Sequence, residues 1–336
     1  VGGNSLAANT TASYNVAMGK NAMYANTTGA YNTAIGAYAL DANTTASNND
    51  AFGYRALTSN TTGTNNTALG RDAMYANTTG SRNVAVGYGT LDANTTADYN
   101  VAIGENALTA NTTGTENVAV GALSLDAQTT SSYNVAIGHN AGGANTADHN
   151  TFVGRYAGAA NTTGANNVVV GSGALATNTT GDNNTAVGKG SLNANTTGTQ
   201  NTAVGRDAGL VITTGGYNTV VGAYALDANT TGNYNTAVGR EALGANTTAD
   251  SNTAVGRNAL GVNTTGASNT AVGATALDAN TTGANNTGIG KDALTENTTG
   301  ASNVAVGNFA LNNNTTASNN TAIGYNSMLA NTTGVN

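Results

Sequence analysis

The stretch NVAIGENALTANTTGTE at residues 100–116 decides the fold, because the next seventeen residues, NVAVGALSLDAQTTSSY at 117–133, follow the same pattern. If the glycine after the hydrophobic residue is position 1, it recurs every seventeen residues from Gly2 to Gly138 and from Gly154 to Gly324. One sixteen-residue unit separates Gly138 from Gly154. The chain is therefore an array of twenty units with the consensus G-x-x-A-L-x-A-N-T-T-G-x-x-N-(T/V)-A-V, and such periods are typical of solenoids.

The composition excludes a conventional core of large side chains. Charged residues make up 8% of the 336 residues and aromatic residues 5%, whereas an ordinary globular protein has about a quarter of its residues charged. We therefore expect stability to come from backbone pairing and stacked small side chains. Because the chain has no cysteine, it forms no disulfide, zinc finger or catalytic thiolate.

Charge and hydropathy argue against nucleic-acid and membrane partners. The net charge is −7 and the ten basic residues are spread singly, so the basic patch of a nucleic-acid-binding protein is missing. No apolar run approaches the roughly 18 residues of a membrane span, and no signal peptide is recognisable at the N-terminus. The sequence starts and stops within a unit, and we expect it to be a segment of a longer protein.

The local pattern predicts short strands joined by corners. Glycine, asparagine and threonine are poor helix formers, whereas N-(T/V)-A-V reads as a short strand and A-L-x-A-N as a second one. Glycines at positions 1 and 11 supply corners, which must reset the phase because an odd period would swap the faces of a continuous strand. The prediction is an all-β parallel β-solenoid of about twenty coils, forming a single domain over residues 1–336.

Each position in the unit then receives a role. Position 5 is leucine or methionine in seventeen of twenty units, and position 17 is always an aliphatic residue, methionine or phenylalanine. We predict that these two positions form the apolar interior, that the alanines at positions 4 and 16 face outwards, and that the asparagine at position 14 forms a hydrogen-bonded ladder at a corner.

Two segments depart from the pattern, near 138–171 and 205–222. The first loses one threonine, has Gly142 and Gly158 at position 5, and gains Phe152 and Val169. The second, AGLVITTG at 208–215, has glycine at position 5 and places its large aliphatic side chains at residues 210–212 instead. We interpret both as local bends or shifts in packing. Asp50 at position 15 indicates that its strand face is partly wet.

One coil gains little from burying a leucine, a valine and several alanines compared with the entropy of ordering its backbone. The predicted outward alanines would present a flat, nearly uncharged surface that association could bury. We therefore expect self-association, either as a three-fold lateral bundle or as an end-to-end filament.

The string N-V-A-I-G, at 100–104 and 134–138 with close variants in every unit, resembles the head repeats of YadA-like trimeric autotransporter adhesins. It is also similar to repeats of phage tail fibres and other surface fibres. The resemblance implies a left-handed parallel β-roll in which this motif forms one strand, packed as a trimer on a cell or virion surface.

Catalytic chemistry is not indicated. His139 and His149 occupy variable positions without a nucleophile beside them, and pairs such as Arg71–Asp72 are interpreted as solvated charges. Carboxylates do not recur at the corners as a repeated Ca²⁺ site requires. We therefore expect no enzyme activity, cofactor or metal.

The favoured function is a non-enzymatic structural or adhesive extracellular fibre that contacts itself and a host surface. The alternative is ligand binding by a regular face, either glycan binding by stacked tyrosines at position 13, Tyr14 with Tyr31 and Tyr217 with Tyr234, or ice binding by the threonines at positions 9 and 10. The N-T-T triplets also match the glycosylation sequon, but turn chemistry is the favoured explanation for them.

Overall fold

The computed structural model describes residues 2–332 and Gly334, and these residues form short parallel strands without any helix. Contacts divide the chain into two compact units, 1–166 and 167–336, so one continuous solenoid over 1–336 stays a prediction. Each unit is a parallel β-solenoid with one strand per coil, which confirms the predicted fold class. Every strand covers positions 15–17 of a unit.

The strands of the first unit are β1 (Val16–Met18), β2 (Thr33–Ile35), β3 (Asp50–Phe52), β4 (Thr67–Leu69), β5 (Val84–Val86), β6 (Val101–Ile103), β7 (Val118–Val120), β8 (Val135–Ile137) and β9 (Thr151–Val153). Those of the second unit are β10 (Val168–Val170), β11 (Thr185–Val187), β12 (Thr202–Val204), β13 (Thr219–Val221), β14 (Thr236–Val238), β15 (Thr253–Val255), β16 (Thr270–Val272), β17 (Thr287–Ile289), β18 (Val304–Val306) and β19 (Thr321–Ile323).

Within each unit, a strand pairs in parallel with the equivalent strand of the next coil. Val101 lies opposite Val118, and Thr253 lies opposite Thr270. The backbone N–H of Thr33 donates to the carbonyl of Asn49 at 2.9 Å. Equivalent residues therefore stack in columns, one residue per coil.

The predicted second strand at A-L-x-A-N is wrong, because this segment is a succession of turns. Tyr38 and Leu40, at positions 3 and 5, have φ of 63° and 50°, in the left-handed region. Such a conformation costs a non-glycine residue about 1–2 kcal/mol. It is maintained by bonds between coils, such as the Leu40 N–H donating to the Ala56 carbonyl at 3.0 Å. This succession of turns reverses the course of the chain over a few residues, which an extended strand could not do.

The glycine at position 1 is required by the approach of neighbouring coils. Gly53 has φ of 139°, and a Cβ on it would lie 2.3 Å from the carbonyl oxygen of Gly70. Any side chain there would overlap the backbone of the next coil. This explains why position 1 is glycine in all twenty units.

The predicted sides of the strand are reversed. The alanines at positions 4 and 16, for example Ala39 and Ala51, are fully buried, whereas Ile289 at position 17 is 40% exposed. A Cβ on Gly288, which occupies position 16, would lie 3.4 Å from Leu277 of the same coil. The interior therefore has room for one leucine facing alanines, and the larger aliphatic residue at position 17 must face outwards.

The predicted asparagine ladder at position 14 is confirmed, but it lies in the interior. The Asn32 Oδ1 accepts the Asn49 backbone N–H at 2.9 Å, and the Asn32 Nδ2 donates to the Ala46 carbonyl at 2.8 Å. A second ladder runs at position 8, where the Asn43 Nδ2 donates to the Asn26 Oδ1 at 2.8 Å. Both ladders satisfy buried polar groups.

The sixteen-residue coil keeps the strand pairing, with Val135 opposite Thr151. Phe152 replaces alanine at position 16 and is fully buried. It occupies space that position-5 leucines would fill, since a Cβ on Gly142 or Gly158 would lie 2.6 Å or 2.1 Å from the phenylalanine ring. The irregularity is a shift in packing and not a break in pairing.

The second irregular coil shifts its packing in a different way. Ile212 takes the place of asparagine at position 8 and is fully buried, while Leu210 and Val211 are only partly covered. A Cβ on Gly209 would lie 2.9 Å from Ile212. The ladder is interrupted here, and the Asn195 Oδ1 is left without a hydrogen-bond partner among the described residues.

Candidate functional site

The principal candidate surface is the outward side of the strands, formed by positions 15 and 17 and called here the strand face. Side chains two residues apart in a strand form two rows roughly 6.6 Å apart, and successive coils repeat them at roughly 4.8 Å. Asp50 at position 15 is exposed, as its charge required. Within each unit, the strand face is thus a periodic surface.

In the first unit, the strand face carries an aliphatic segment over β5–β8, called here the apolar strip. Both rows are aliphatic in all four strands. Ile103 and Ile137 are 38% and 42% exposed. The members of the apolar strip are Val84, Val86, Val101, Ile103, Val118, Val120, Val135 and Ile137. Contiguous exposed apolar surface of this kind marks interaction sites.

In the second unit, the strand face carries threonine opposite valine or isoleucine over β11–β17, called here the Thr–Val strip. Its threonines are Thr185, Thr202, Thr219, Thr236, Thr253, Thr270 and Thr287. Its aliphatic row is Val187, Val204, Val221, Val238, Val255, Val272 and Ile289. This surface was not predicted from the sequence, because position 17 was assigned to the interior.

The tyrosines at position 13 stack between coils, as expected from their spacing. The rings of Tyr14 and Tyr31 are 5.0 Å apart and inclined by 7°, and those of Tyr217 and Tyr234 are 4.9 Å apart and inclined by 17°. All four side chains are exposed. A glycan-binding role for them stays a prediction.

Position 13 forms two further ring contacts that sequence reasoning missed. Tyr133 and His149 stack at 4.9 Å with their planes 2° apart, and the Arg82 guanidinium lies 5.1 Å from the centroid of Tyr99. The signal was available, because His149 is separated from Tyr133 by one sixteen-residue coil. Within each unit, such contacts are called here the aromatic ridge, which lies beside the strand face and is interrupted where position 13 is not aromatic.

The threonines at positions 9 and 10 do not lie in a strand. The hydroxyl of Thr61, at position 9, donates to the carbonyl of Thr78 at 3.1 Å, and the same bond recurs from coil to coil. Thr62 and Thr79, at position 10, are exposed. The position 9 hydroxyls are therefore occupied in joining coils, which leaves only one of the two predicted rows free.

The asparagines of the N-T-T triplets are mostly interior. Asn43 and Asn60 are fully buried, and their amide nitrogens each bond an asparagine of the preceding coil. A glycan on such a nitrogen would replace a ladder bond and would have no room. Turn and ladder chemistry accounts for these triplets in the folded chain.

Carboxylates at position 6 form the principal titratable group. Burial raises the pKa of Asp41, and it also raises the pKa of Asp126 against the opposing effect of backbone hydrogen bonds. Burial is also the first cause that raises the pKa values of Asp92, Asp227 and Asp278. These side chains sit against the coil edge, where desolvation disfavours the charged form.

The ion pairs lie on the surface. The Arg71 Nε is 3.1 Å from Asp72, and the arginine side chain is 63% exposed. Surface pairs contribute about 0–1 kcal/mol. The arginine is solvated, as interpreted from the sequence, whereas its carboxylate partner is largely covered, since the Asp72 side chain is only 15% exposed.

Arg55 forms the most elaborate side-chain cluster. Its guanidinium lies 4.2 Å from the Tyr75 centroid and its Nε is 3.4 Å from Asp72. With Tyr38, Tyr54 and Thr58 it lines a shallow surface cavity of about 280 Å³. The cation is already occupied by its ring and carboxylate partners, so the cluster is a self-contained surface contact.

Among residues 2–332 and Gly334, histidines, aspartates and glutamates nowhere gather in a group of three able to hold a metal ion. The same residues include no helix long and apolar enough to cross a membrane. His139 makes an edge-to-face contact with Tyr156 at 5.4 Å, and His149 lies in the ring stack described above. The two histidines are thus engaged with different tyrosines and do not form a site together.

Comparison with known protein families and with curated protein sequences finds no match to this chain.

Proposed function

We propose that the protein is a non-enzymatic structural segment of an extracellular fibre, exposed on a cell or virion surface. The observation that carries this proposal is the repetition of coil-to-coil bonds within each unit, in which backbone groups and the position 14 asparagines satisfy one another from one coil to the next. In such a stack, stability is approximately a sum of contributions from each coil and from its contacts with neighbouring coils. The strand face and aromatic ridge then serve as surfaces displayed along the segment.

Within this proposal, the apolar strip is the contact between copies of the chain. It takes the place of the outward alanine surface that the sequence suggested, since those alanines are interior. Four coils span only about 19 Å, and two rows of side chains between one pair of copies bury less than the roughly 800 Å² per partner of a standard interface. Three copies around one axis would each contribute to two contacts, so a trimer closes the strip best.

The test is the mass of the full chain in solution by light scattering and sedimentation velocity. We expect a trimer that dissociates when Val101, Val118 and Val135 are changed together to threonine, a residue that this position accepts in many other coils. Val262→Thr, at an exposed valine off the strand face, is the control and leaves the trimer intact. A monomeric parent chain, or a trimer insensitive to the triple change, refutes the proposed contact.

A second candidate function is supported by the stacked tyrosines. Tyr217 and Tyr234 present two exposed parallel rings, which are able to cover the apolar face of a sugar. On a glycan array, we expect binding that is lost in Tyr217→Ser, since serine occupies this position at Ser251 and Ser268. Tyr88→Ser, at an exposed tyrosine outside the ridge, is the matched control. Equal binding by both variants would exclude the ridge.

A further inference from the structure

We infer that the Thr–Val strip of the second unit binds ice. The strip is regular along the stack of strands. Seven successive strands present threonine at the same position, and pairing places each directly opposite the next, as Thr236 lies opposite Thr253 and Thr253 opposite Thr270. The hydroxyls therefore repeat at roughly 4.8 Å along the stack, with a parallel row of valine methyl groups roughly 6.6 Å away.

The threonine hydroxyls of the strip are free to accept a ligand, and their positions are fixed before binding. None of the seven threonine side chains makes a hydrogen bond to another group within the described part of the second unit, and all face solvent. Threonine is β-branched and stiff at χ1, and strand pairing fixes its backbone. Ordering these groups on binding consequently costs little entropy.

The residue types in the strip restrict the kind of ligand that it can bind. No charged residue occurs in either row of the strip, which gives no means of binding an ion or a charged polymer. Neither row contains an aromatic ring on which a sugar could stack. A dry protein partner would bury seven hydroxyls, and each left unpaired would cost about 1–3 kcal/mol.

An ordered layer of water meets these requirements. Water bridges satisfy hydroxyl groups nearly as well as direct bonds, while the valine methyl groups hold the water between them without competing for its hydrogen bonds. A crystalline water surface has the matching property of repeating in two directions at spacings of this size. Beside β15–β17, the aromatic ridge is replaced by the shorter side chains of Ser251, Ser268 and Asn285.

The test is thermal hysteresis and ice-crystal shape measured with the full chain. We expect the parent to delay ice growth and to facet the crystals, and Thr253→Lys, in the middle of the strip, to lose the activity severalfold. Thr248→Lys is the matched control, because it places the same charge on the exposed position 10 threonine of the same coil. Circular dichroism of both variants establishes that they keep the parent fold.

Ordinary ice growth with the parent chain overturns the inference. So does an active parent whose activity survives Thr253→Lys, and loss only in Thr248→Lys would assign ice binding to positions 9 and 10 instead. None of these results bears on the trimer contact, which is measured at a different surface and by mass.

Discussion

The apolar strip of the first unit and the Thr–Val strip of the second have the same backbone and different chemistry. In both, asparagine precedes the strand and a small residue, nearly always alanine, points inwards at position 16. The outward residues differ, with Val118 and Val120 in β7 but Thr253 and Val255 in β15. The inward side of the strand therefore holds the coils together, whereas the outward side can change its residues without disturbing the stack.

The largest expected effect separates the two sides of the strand. Phe152→Ala removes a fully buried ring between two glycines and should destabilise the protein by about 3–5 kcal/mol. Phe52→Ala removes the same ring from the outward position 17 and should cost less than about 1 kcal/mol. The measurement is denaturant unfolding followed by circular dichroism. Equal losses of unfolding free energy in the two variants would mean that position 17 is also interior, and the two strips would then not be outward surfaces.

The next effect comes from giving the second unit the surface of the first. Changing Thr236, Thr253 and Thr270 together to valine extends aliphatic character across both rows. We expect stronger retention on a hydrophobic-interaction column and additional self-association in sedimentation, because exposed apolar surface drives association. Thr231, Thr248 and Thr265, at position 10, changed together to valine provide the control. If both triple variants behave alike, the strand face has no special role.

How far the sequence predicted the molecule depends on the kind of residue considered. Gly53 and Asn49 could be assigned because backbone crowding and amide pairing allow few substitutes at positions 1 and 14. The sides of the strand could not be assigned from hydrophobicity, because valine favours burial while the coil admits only a small residue at position 16 wherever leucine occupies position 5. The clue lay in compensation within the chain, since Phe152 occurs with Gly142 and Gly158 at position 5.

The left-handed backbone conformation at position 5 could not be predicted from the sequence either. Leucine at position 5 gives no sign of φ near 50°, but Gly142 and Gly209 stand at that position with φ of 58° and 60°. Glycine in place of leucine was a sign of backbone geometry as well as of packing. For the candidate site, the tyrosine stacks were predictable from spacing, whereas the Thr–Val strip required knowledge of which side faces solvent.

A smaller effect tests the position 8 asparagine ladder separately in each unit. Gln128 interrupts the position 8 ladder in the first unit and leaves the Asn111 Oδ1 without a partner among the described residues. Gln128→Asn should restore the donor and stabilise the protein by about 1 kcal/mol in thermal unfolding.

The corresponding change in the second unit, Ile212→Asn, should not stabilise, because Ile212 fills the space beside Gly209. If Ile212→Asn stabilised the protein, or Gln128→Asn did not, the position 8 ladder would not contribute to stability in the way that its hydrogen bonds indicate.

The smallest effect concerns the edge of the coil. Since burial raises the folded pKa of Asp126, the folded state holds this proton more tightly than the unfolded state, and stability falls as pH rises above the unfolded value of about 3.9. Asp126→Asn should therefore raise the melting temperature at pH 7, with the advantage fading on acidification towards that value. Glu105→Gln, at an exposed acid, is the comparison. An advantage for Asp126→Asn that grows on acidification would contradict the sign.

The column of position 1 glycines has a consequence for size. Because these glycines meet the next coil of their unit through the same backbone contact, adding or deleting a seventeen-residue repeat there creates no new kind of contact and destroys none. The contacts between two neighbouring coils do not depend on the number of coils in the stack. Gene duplication can therefore lengthen or shorten such a protein without a folding penalty at the junction, and its reach becomes a property of copy number alone.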